Sequence, residues 1–132
     1  MTRDLHAFAA FLAERGPMPF DWGRSANDCV AFILAGIEAQ TGRDMLPGVT
    51  WTTERGAARV IRRLGGLEHA FDVRLRPIAP AMAQRGDVAG VIDDRFGVSL
   101  LFVEGTMLAG PGARGTKRLP RTAMIRAWSI DV

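Results

Sequence analysis

The sequence predicts an α+β domain in which N-terminal helices pack on a C-terminal antiparallel sheet. Two observations carry this prediction. In the first half of the chain, apolar residues recur at three- and four-residue spacing, which is typical of amphipathic helices. From Arg85 onward the period changes, and short apolar runs alternate with glycine- and aspartate-rich turns. At 132 residues the chain suits one domain of this class, so residues 1–132 are expected to fold together.

Two helices are expected ahead of the first long loop. The first covers residues 4–14 and stops at Gly16-Pro17, a pair that breaks helices. The second begins near Asn27, with Asn27 or Ser25 as its N-cap, and ends at Thr41-Gly42. Apolar side chains surround most of this second helix, so it is expected to be the central helix of the domain.

Two shorter helices and a strand-rich half follow. Thr52 or Thr53 can cap the third helix, which Gly65-Gly66 closes, and residues 67–75 are expected to form a short fourth helix. The pattern then predicts an antiparallel sheet of four to five strands. The recognisable strands are residues 88–92, 97–103, 106–109 and 126–130, with turns at Asp93-Asp94 and Glu104-Gly105.

Composition excludes several classes of protein. No apolar stretch approaches the ~20 residues that span a bilayer, and the N-terminus lacks a signal-peptide pattern. The single cysteine, Cys29, excludes an internal disulfide and is typical of a reducing compartment. Because His6 and His69 are the only imidazoles, a conventional metal centre is not expected. We therefore expect a protein made in the cytoplasm, with no membrane association, metal or cofactor.

Cys29 is the candidate catalytic residue. It opens the second helix, where backbone N–H groups and the helix dipole stabilise negative charge. This placement lowers the pKa of a thiol and produces the thiolate nucleophile of a cysteine hydrolase. The alternative is a structural cysteine, since free cysteines are commonly small buried hydrophobes. Position alone leaves both interpretations open.

Three further residues belong to the candidate site. His69 is the histidine best placed to act as a base for Cys29, although its surroundings are typical of an exposed helical turn. Asp28 directly precedes the thiol and is expected to cap the helix or to hold a polar network around the site. Trp22 is a candidate binding residue, because an indole on the loop ahead of Cys29 would form one wall of a substrate cleft.

The distribution of charge raises a nucleic-acid alternative. Lys117 is the only lysine, and the arginines gather over residues 55–76 and 114–126. Such clusters can follow a phosphate backbone, but here acidic residues lie between them and stacking aromatic residues do not alternate with them. Solvated protein surface is the simpler interpretation, so nucleic acid is not expected as a partner.

Several short motifs occur in an order that resembles one group of proteins. They are Phe20-Asp21-Trp22-Gly23, Asn27-Asp28-Cys29-Val30, the helix end Thr41-Gly42-Arg43-Asp44, Arg85-Gly86-Asp87-Val88 and the late Ala127-Trp128. Together they resemble small uncharacterised phage and prophage proteins that are similar to NlpC-type peptidases, the minimal papain-like thiol hydrolases. The resemblance covers roughly residues 20–128. It implies a papain-like NlpC-type fold with Cys29 at the head of the central helix.

The resemblance also implies chemistry that this sequence supplies only in part. NlpC-type enzymes cut peptide bonds in bacterial cell walls, and they use a histidine near the start of the second strand and a further polar residue on the next strand. Here Phe96 and Gly97 occupy the expected histidine position, and residues 107–109 offer no polar side chain. Only Cys29 carries over from the catalytic group of the family.

Two functions therefore compete. The leading hypothesis is a phage or prophage module for tail assembly that keeps the peptidase scaffold but lacks a complete catalytic triad. Its partners would be other phage structural proteins, with which it would enter a virion after synthesis in the cytoplasm. The alternative is an active cysteine hydrolase that cuts a peptide or peptidoglycan substrate. In that case Cys29 is the nucleophile, and His69 or a partner protein supplies the base.

Overall fold

A computed structural model of the protein describes residues 3–131. Within this range four α-helices precede all the strands of the sheet, and none of these helices combines the length and apolarity needed to cross a bilayer. The helices are α1 (Leu5–Arg15), α2 (Cys29–Thr41), α3 (Glu54–Arg63) and α4 (Leu67–Asp72). The strands are β1 (Arg76–Ile78), β2 (Val88–Asp93), β3 (Gly97–Val103), β4 (Met107–Gly112), β5 (Gly115–Pro120) and β6 (Arg126–Ser129).

The α+β prediction is confirmed, because the helices pack on a sheet whose strands all pair antiparallel. The strand order is β1-β6-β2-β3-β4-β5, so the sheet has six strands rather than the expected four or five. The two unexpected strands lie at its edges. β1 is three residues long and contains Pro77, and β5 carries Lys117 and Arg118. Edge strands commonly contain proline and charge in place of apolar alternation, which hides them in a sequence.

The central position predicted for the second helix is confirmed. Most of α2 is buried against one face of the sheet, where four aromatic rings meet at centroid separations of 5.0 to 5.9 Å. Gly36 permits this approach, because a Cβ there would lie 2.2 Å from the ring of Phe102. A packed interior leaves no room for such an atom. The four rings belong to Phe8, Phe11, Phe32 and Phe102.

The opposite face of the sheet carries a second, smaller core, which includes Leu101 and Leu108. Residues next to two 3-10 turns, Pro80–Met82 and Arg121–Ala123, pack on this face. The guanidinium of Arg121 donates hydrogen bonds to the carbonyls of Pro80 and Ala83, which ties the two turns together. The sheet is therefore covered on both sides, and its helix-free side needs no partner to be buried.

Each of the first three helices begins with a side-chain N-cap, and Asp and Thr are among the residues preferred at the N-cap position. The caps and the N–H groups that they accept from are Asp4 with Ala7, Asp28 with Ala31, and Thr53 with Gly56. Thr53 was one of two expected caps for α3. For α2 the cap is Asp28, and the expectation of Asn27 or Ser25 is wrong. Asn27 is buried, and its amide donates to the carbonyls of Met18 and Pro19, so it holds the preceding loop instead.

Asp87 connects the two ends of the described chain. Its carboxylate is buried and lies 2.7 Å from the guanidinium of Arg3, which also contacts Asp131 at 2.7 Å. Asp87 further accepts the backbone N–H groups of Gln84 and Ile130. The turn that leads into β2 is thus held by a carboxylate whose oxygens are all engaged within the protein.

Candidate functional site

A cavity of about 330 Å³ opens beside the N-terminus of α2, with Cys29 in its wall. The loop before α2, the β2–β3 turn and the β4–β5 hairpin form its other sides. Its size and its mixture of apolar walls with few polar groups are typical of small-molecule and peptide sites. The aromatic lining residues are Phe20, Trp22 and Phe96, and the charged ones are Asp93, Arg95 and Lys117.

Cys29 is the first residue of α2 and is half-buried. Burial raises the pKa of its thiol above the ordinary value, and the nearby carboxylates of Asp28 and Asp93 raise it further. Interactions with the backbone of Leu100 and the side chain of Ser99 act in the opposite direction without outweighing them. The net direction is thus upward, opposite to the lowering that a helix N-terminus alone would give, and it disfavours the thiolate.

Asp28 holds together the segments around Cys29. It is 1 % exposed, and its two carboxylate oxygens accept three N–H groups. One oxygen accepts from Ala31 at 2.8 Å, and the other from Gly23 at 2.9 Å and from the indole of Trp51 at 2.8 Å. Gly23 reaches this position with a φ of +135°, a conformation that favours glycine. Capping by Asp28 is thus confirmed, and Asp28 shapes the site from behind the cavity wall.

Trp22 lies in the cavity wall, where a binding residue was expected. Its ring meets Phe20 edge to face at a centroid separation of 5.0 Å. The guanidinium of Arg95 lies 5.4 Å from the Trp22 ring centroid, and it also contacts Glu54 at 3.0 Å. Such aromatic and cation–π contacts orient the indole before any ligand arrives. A role for Trp22 in binding stays a prediction.

The structure does not bring His69 to Cys29. His69 is exposed on α4, and its ring lies against Gly65, where an added Cβ would come within 2.8 Å of it. His6 is exposed on α1. Among the residues that the structure describes, the cavity wall contains no histidine. Within the same range, no three His, Cys, Asp or Glu side chains are grouped so that they could hold a metal ion.

Three cavity residues escaped the sequence analysis. Ser99, which lines the cavity with Cys29 and acts to lower the pKa of its thiol, lies within the apolar run of β3 and carries no distinguishing signal. Arg95 follows Asp93, whose carboxylate accepts the Arg95 N–H at 2.7 Å in a turn, and only the turn was recognisable. Lys117 lies on the unrecognised edge strand β5. The one feature of the sequence that singles out Lys117 is that the chain has no other lysine.

A family profile described as "Domain of unknown function (DUF6950)" matches residues 3–130 of the chain. The chain belongs to the DUF6950 family. A comparison with curated proteins gives no match. The membership places this DUF6950 protein in an uncharacterised family, as the resemblance implied.

Comparison with solved structures relates this DUF6950 protein to an established fold. It is similar to a crystal structure of the NlpC/p60 domain of peptidoglycan hydrolase SagA, with a TM-score of 0.63. The alignment covers 96% of this chain and 98% of that domain at 18% sequence identity. At this identity the likeness establishes the fold alone. The implied NlpC-type fold is therefore confirmed, and the scaffold is one that hydrolases use.

Proposed function

We propose that this protein is an assembly module of a phage or prophage tail, built on an NlpC/p60 scaffold that does not hydrolyse peptide bonds. The observation that carries the proposal is the cavity beside Cys29. It presents a thiol at a helix N-terminus, but the cavity wall that the structure describes contains Ser99 and no imidazole. A cysteine nucleophile needs a base within hydrogen-bond reach.

The raised pKa of the Cys29 thiol supports the same proposal. Thiol hydrolases attack with a thiolate, and here burial and two carboxylates raise the pKa of Cys29. The helix dipole contributes about 1 kcal/mol in favour of the anion. General-base catalysis contributes about 10²- to 10⁴-fold in rate, so the helix terminus is no substitute for a missing base.

The assembly role rests on the order of motifs that resembles phage and prophage proteins. A scaffold that retains its fold and cavity without hydrolysis keeps the means to bind a protein segment. The partners in this proposal are other structural proteins of the tail. The exposed arginines of α3 are then ordinary solvated surface, and duplex DNA is expected to bind weakly or not at all. A tight, steeply salt-dependent interaction with DNA would instead support a packaging role.

An active cysteine hydrolase is the second candidate, and one observation favours it. Cys29 lines an open cavity of ligand-binding size on a fold that a peptidoglycan hydrolase domain also has. The base would then come from a movement of α4 that brings His69 to the cavity, or from a partner protein. This candidate requires a Cys29-dependent cleavage reaction.

The pH dependence of alkylation separates the two candidates. Iodoacetamide is allowed to react with the folded protein over a pH series, and intact mass reports modification at the only cysteine. We expect the half-point above the free-thiol value of ~8.5. A half-point below ~7 that rises in His69→Ala would instead support the hydrolase. Purified peptidoglycan supplies the second readout, since peptide release that disappears in Cys29→Ser would contradict the proposal.

A genetic replacement in the source phage or prophage tests assembly. We expect deletion of the gene to remove intact tails from electron micrographs, and Cys29→Ser to restore both tails and titre. Normal tails after deletion would overturn the assembly role. Failure of Cys29→Ser to restore titre, with normal protein levels, would show that the thiol is required.

A further inference from the structure

Lys117 lies in the cavity wall, and no carboxylate in the described part of the chain forms an ion pair with it. It lies on β5, is exposed, and lines the same cavity as Cys29. The neighbouring cations have carboxylate partners, since Arg118 contacts Glu104 at 2.8 Å and Arg95 contacts Glu54 at 3.0 Å. Among residues 3–131, no carboxylate lies within ion-pair distance of Lys117.

The other charged groups of the cavity do not pair with Lys117. The only carboxylate in the described wall, Asp93, keeps its negative charge, but its oxygen accepts the backbone N–H groups of Arg95 and Phe96 at 2.7 and 3.3 Å. Arg95 already has Glu54 as its partner. Lys117 is therefore the cation of the described wall that is open to a further carboxylate, and a charge-assisted hydrogen bond to its ammonium would hold an anionic group of a ligand there.

The chemistry of lysine suits this role. The chain has 17 Lys and Arg residues and Lys117 is the only lysine, so arginine occupies the other basic positions. Lysine places a compact charge on a flexible stem, whereas arginine is a planar fork that pairs well at a fixed geometry. A lone lysine at the cavity can follow a carboxylate that enters from several directions. The aromatic wall of Phe20, Trp22 and Phe96 can pack an adjacent apolar side chain.

We propose that the cavity binds a peptide segment whose carboxylate pairs with Lys117 while an apolar neighbour packs on the aromatic wall. The carboxylate is either a chain end or an acidic side chain. The inference deepens the proposed function, because it names what a non-hydrolytic scaffold would hold. It does not depend on the thiol, and Cys29→Ser is expected to bind the same peptides.

The single lysine permits a direct test by NMR. Reductive methylation with ¹³C-formaldehyde labels the amines of Lys117 and of the N-terminus, and loss of one signal in Lys117→Met assigns the two. The probes are N-acetyl-Ala-Leu-Ala with a free carboxylate, its C-terminal amide, and N-acetyl-Ala-Glu-Ala amide. We expect a saturable shift of the Lys117 signal with the free acid or with the glutamate peptide, which distinguishes a chain end from a side chain. The leucine amide is expected to leave the signal unchanged.

Variants supply the second measurement, in which tryptophan fluorescence reports binding at the wall that contains Trp22. Lys117→Met is expected to weaken binding of the carboxylate peptide about tenfold, as loss of one charge-assisted hydrogen bond would. Lys117→Arg retains the charge and is expected to bind within about threefold of the wild type. Arg114→Met is the matched control, because Arg114 is exposed nearby but does not line the cavity.

Three results would overturn the inference: equal binding of acid and amide, no shift of the Lys117 signal at 10 mM of any probe, or unchanged affinity in Lys117→Met. None of these bears on hydrolysis or on tail formation. Conversely, Cys29-dependent release of peptides from peptidoglycan would overturn the proposed function and leave the Lys117 contact in place.

Discussion

Asp28 offers the strongest single test of how the site is built. Its carboxylate accepts three N–H groups, and Asp28→Ala removes all three acceptors at once. Loss of the α2 cap costs about 1 kcal/mol. The N–H groups of Gly23 and of the Trp51 indole are left buried without a partner, at about 1–3 kcal/mol each. The free energy of unfolding is therefore expected to fall by about 3 kcal/mol at the low end and about 7 kcal/mol at the high end.

Urea denaturation followed by circular dichroism measures this loss. A domain of this size is commonly stable by about 5–15 kcal/mol, so the variant is expected to be severely weakened or unfolded at room temperature. Asp28→Asn keeps one oxygen acceptor and is expected to lose less. Asp94→Ala, in the exposed β2–β3 turn, is the matched control and is expected to change stability by no more than about 0.5 kcal/mol. A loss below about 1 kcal/mol in Asp28→Ala would refute the reasoning, because it would mean that water replaces the carboxylate without penalty.

Three further predictions follow from the same structure. Ser99→His places an imidazole in the wall of the Cys29 cavity, and the imidazolium is expected to lower the pKa of the Cys29 thiol. Alkylation against pH measures it with Ser99→Asn as control, and an unchanged profile would mean that position 99 does not reach the thiol. Gly36→Ala forces a Cβ into Phe102 and is expected to destabilise the fold by about 1–3 kcal/mol in urea, whereas Gly105→Ala, with open space around it, is expected to be neutral; equal effects would contradict the packing argument. Because the folded-state pKa of Cys29 is raised, the stability that its neutral thiol contributes is present below the unfolded value of ~8.5 and is lost as pH rises beyond it. Unfolding free energies at pH 7 and 10 check this, and a decline of the same size in Cys29→Ala would show that other groups cause it.

The parts of the fold that the sequence predicted are those whose burial leaves an apolar pattern. Helices such as α3 repeat apolar residues at three- and four-residue spacing because one face is buried, and the inner strands β2 and β3 are apolar runs because both faces of the sheet are covered. The edge strands β1 and β5 have no such constraint. Pro77 interrupts the first, and Lys117 and Arg118 make the second as polar as a loop.

The candidate site was predictable to a smaller extent. The local pattern was enough to predict that Cys29 begins a buried helix and that the indole of Trp22 lies on the preceding loop. The direction of the Cys29 pKa shift could not be predicted from local pattern. It depends on burial and on the charge of Asp93, which lies 64 positions away in sequence and comes near the thiol only after folding. The same applies to His69, whose distance from the cavity depends on how α4 packs. The cap of α2 was predicted wrongly because the sequence does not show which of two adjacent side chains, Asn27 or Asp28, points back to the helix N-terminus.

The contact between Arg3 and Asp131 has a mechanical consequence. Since these residues lie within ion-pair distance of one another, the chain leaves the domain almost where it arrives. If such a domain is inserted into a longer chain, the two flanking segments meet at nearly the same point. The domain then adds almost nothing to the distance between them. The Arg3 ion pairs with Asp131 and Asp87, which tie the two ends together, lie at the opposite end of α2 from the cavity.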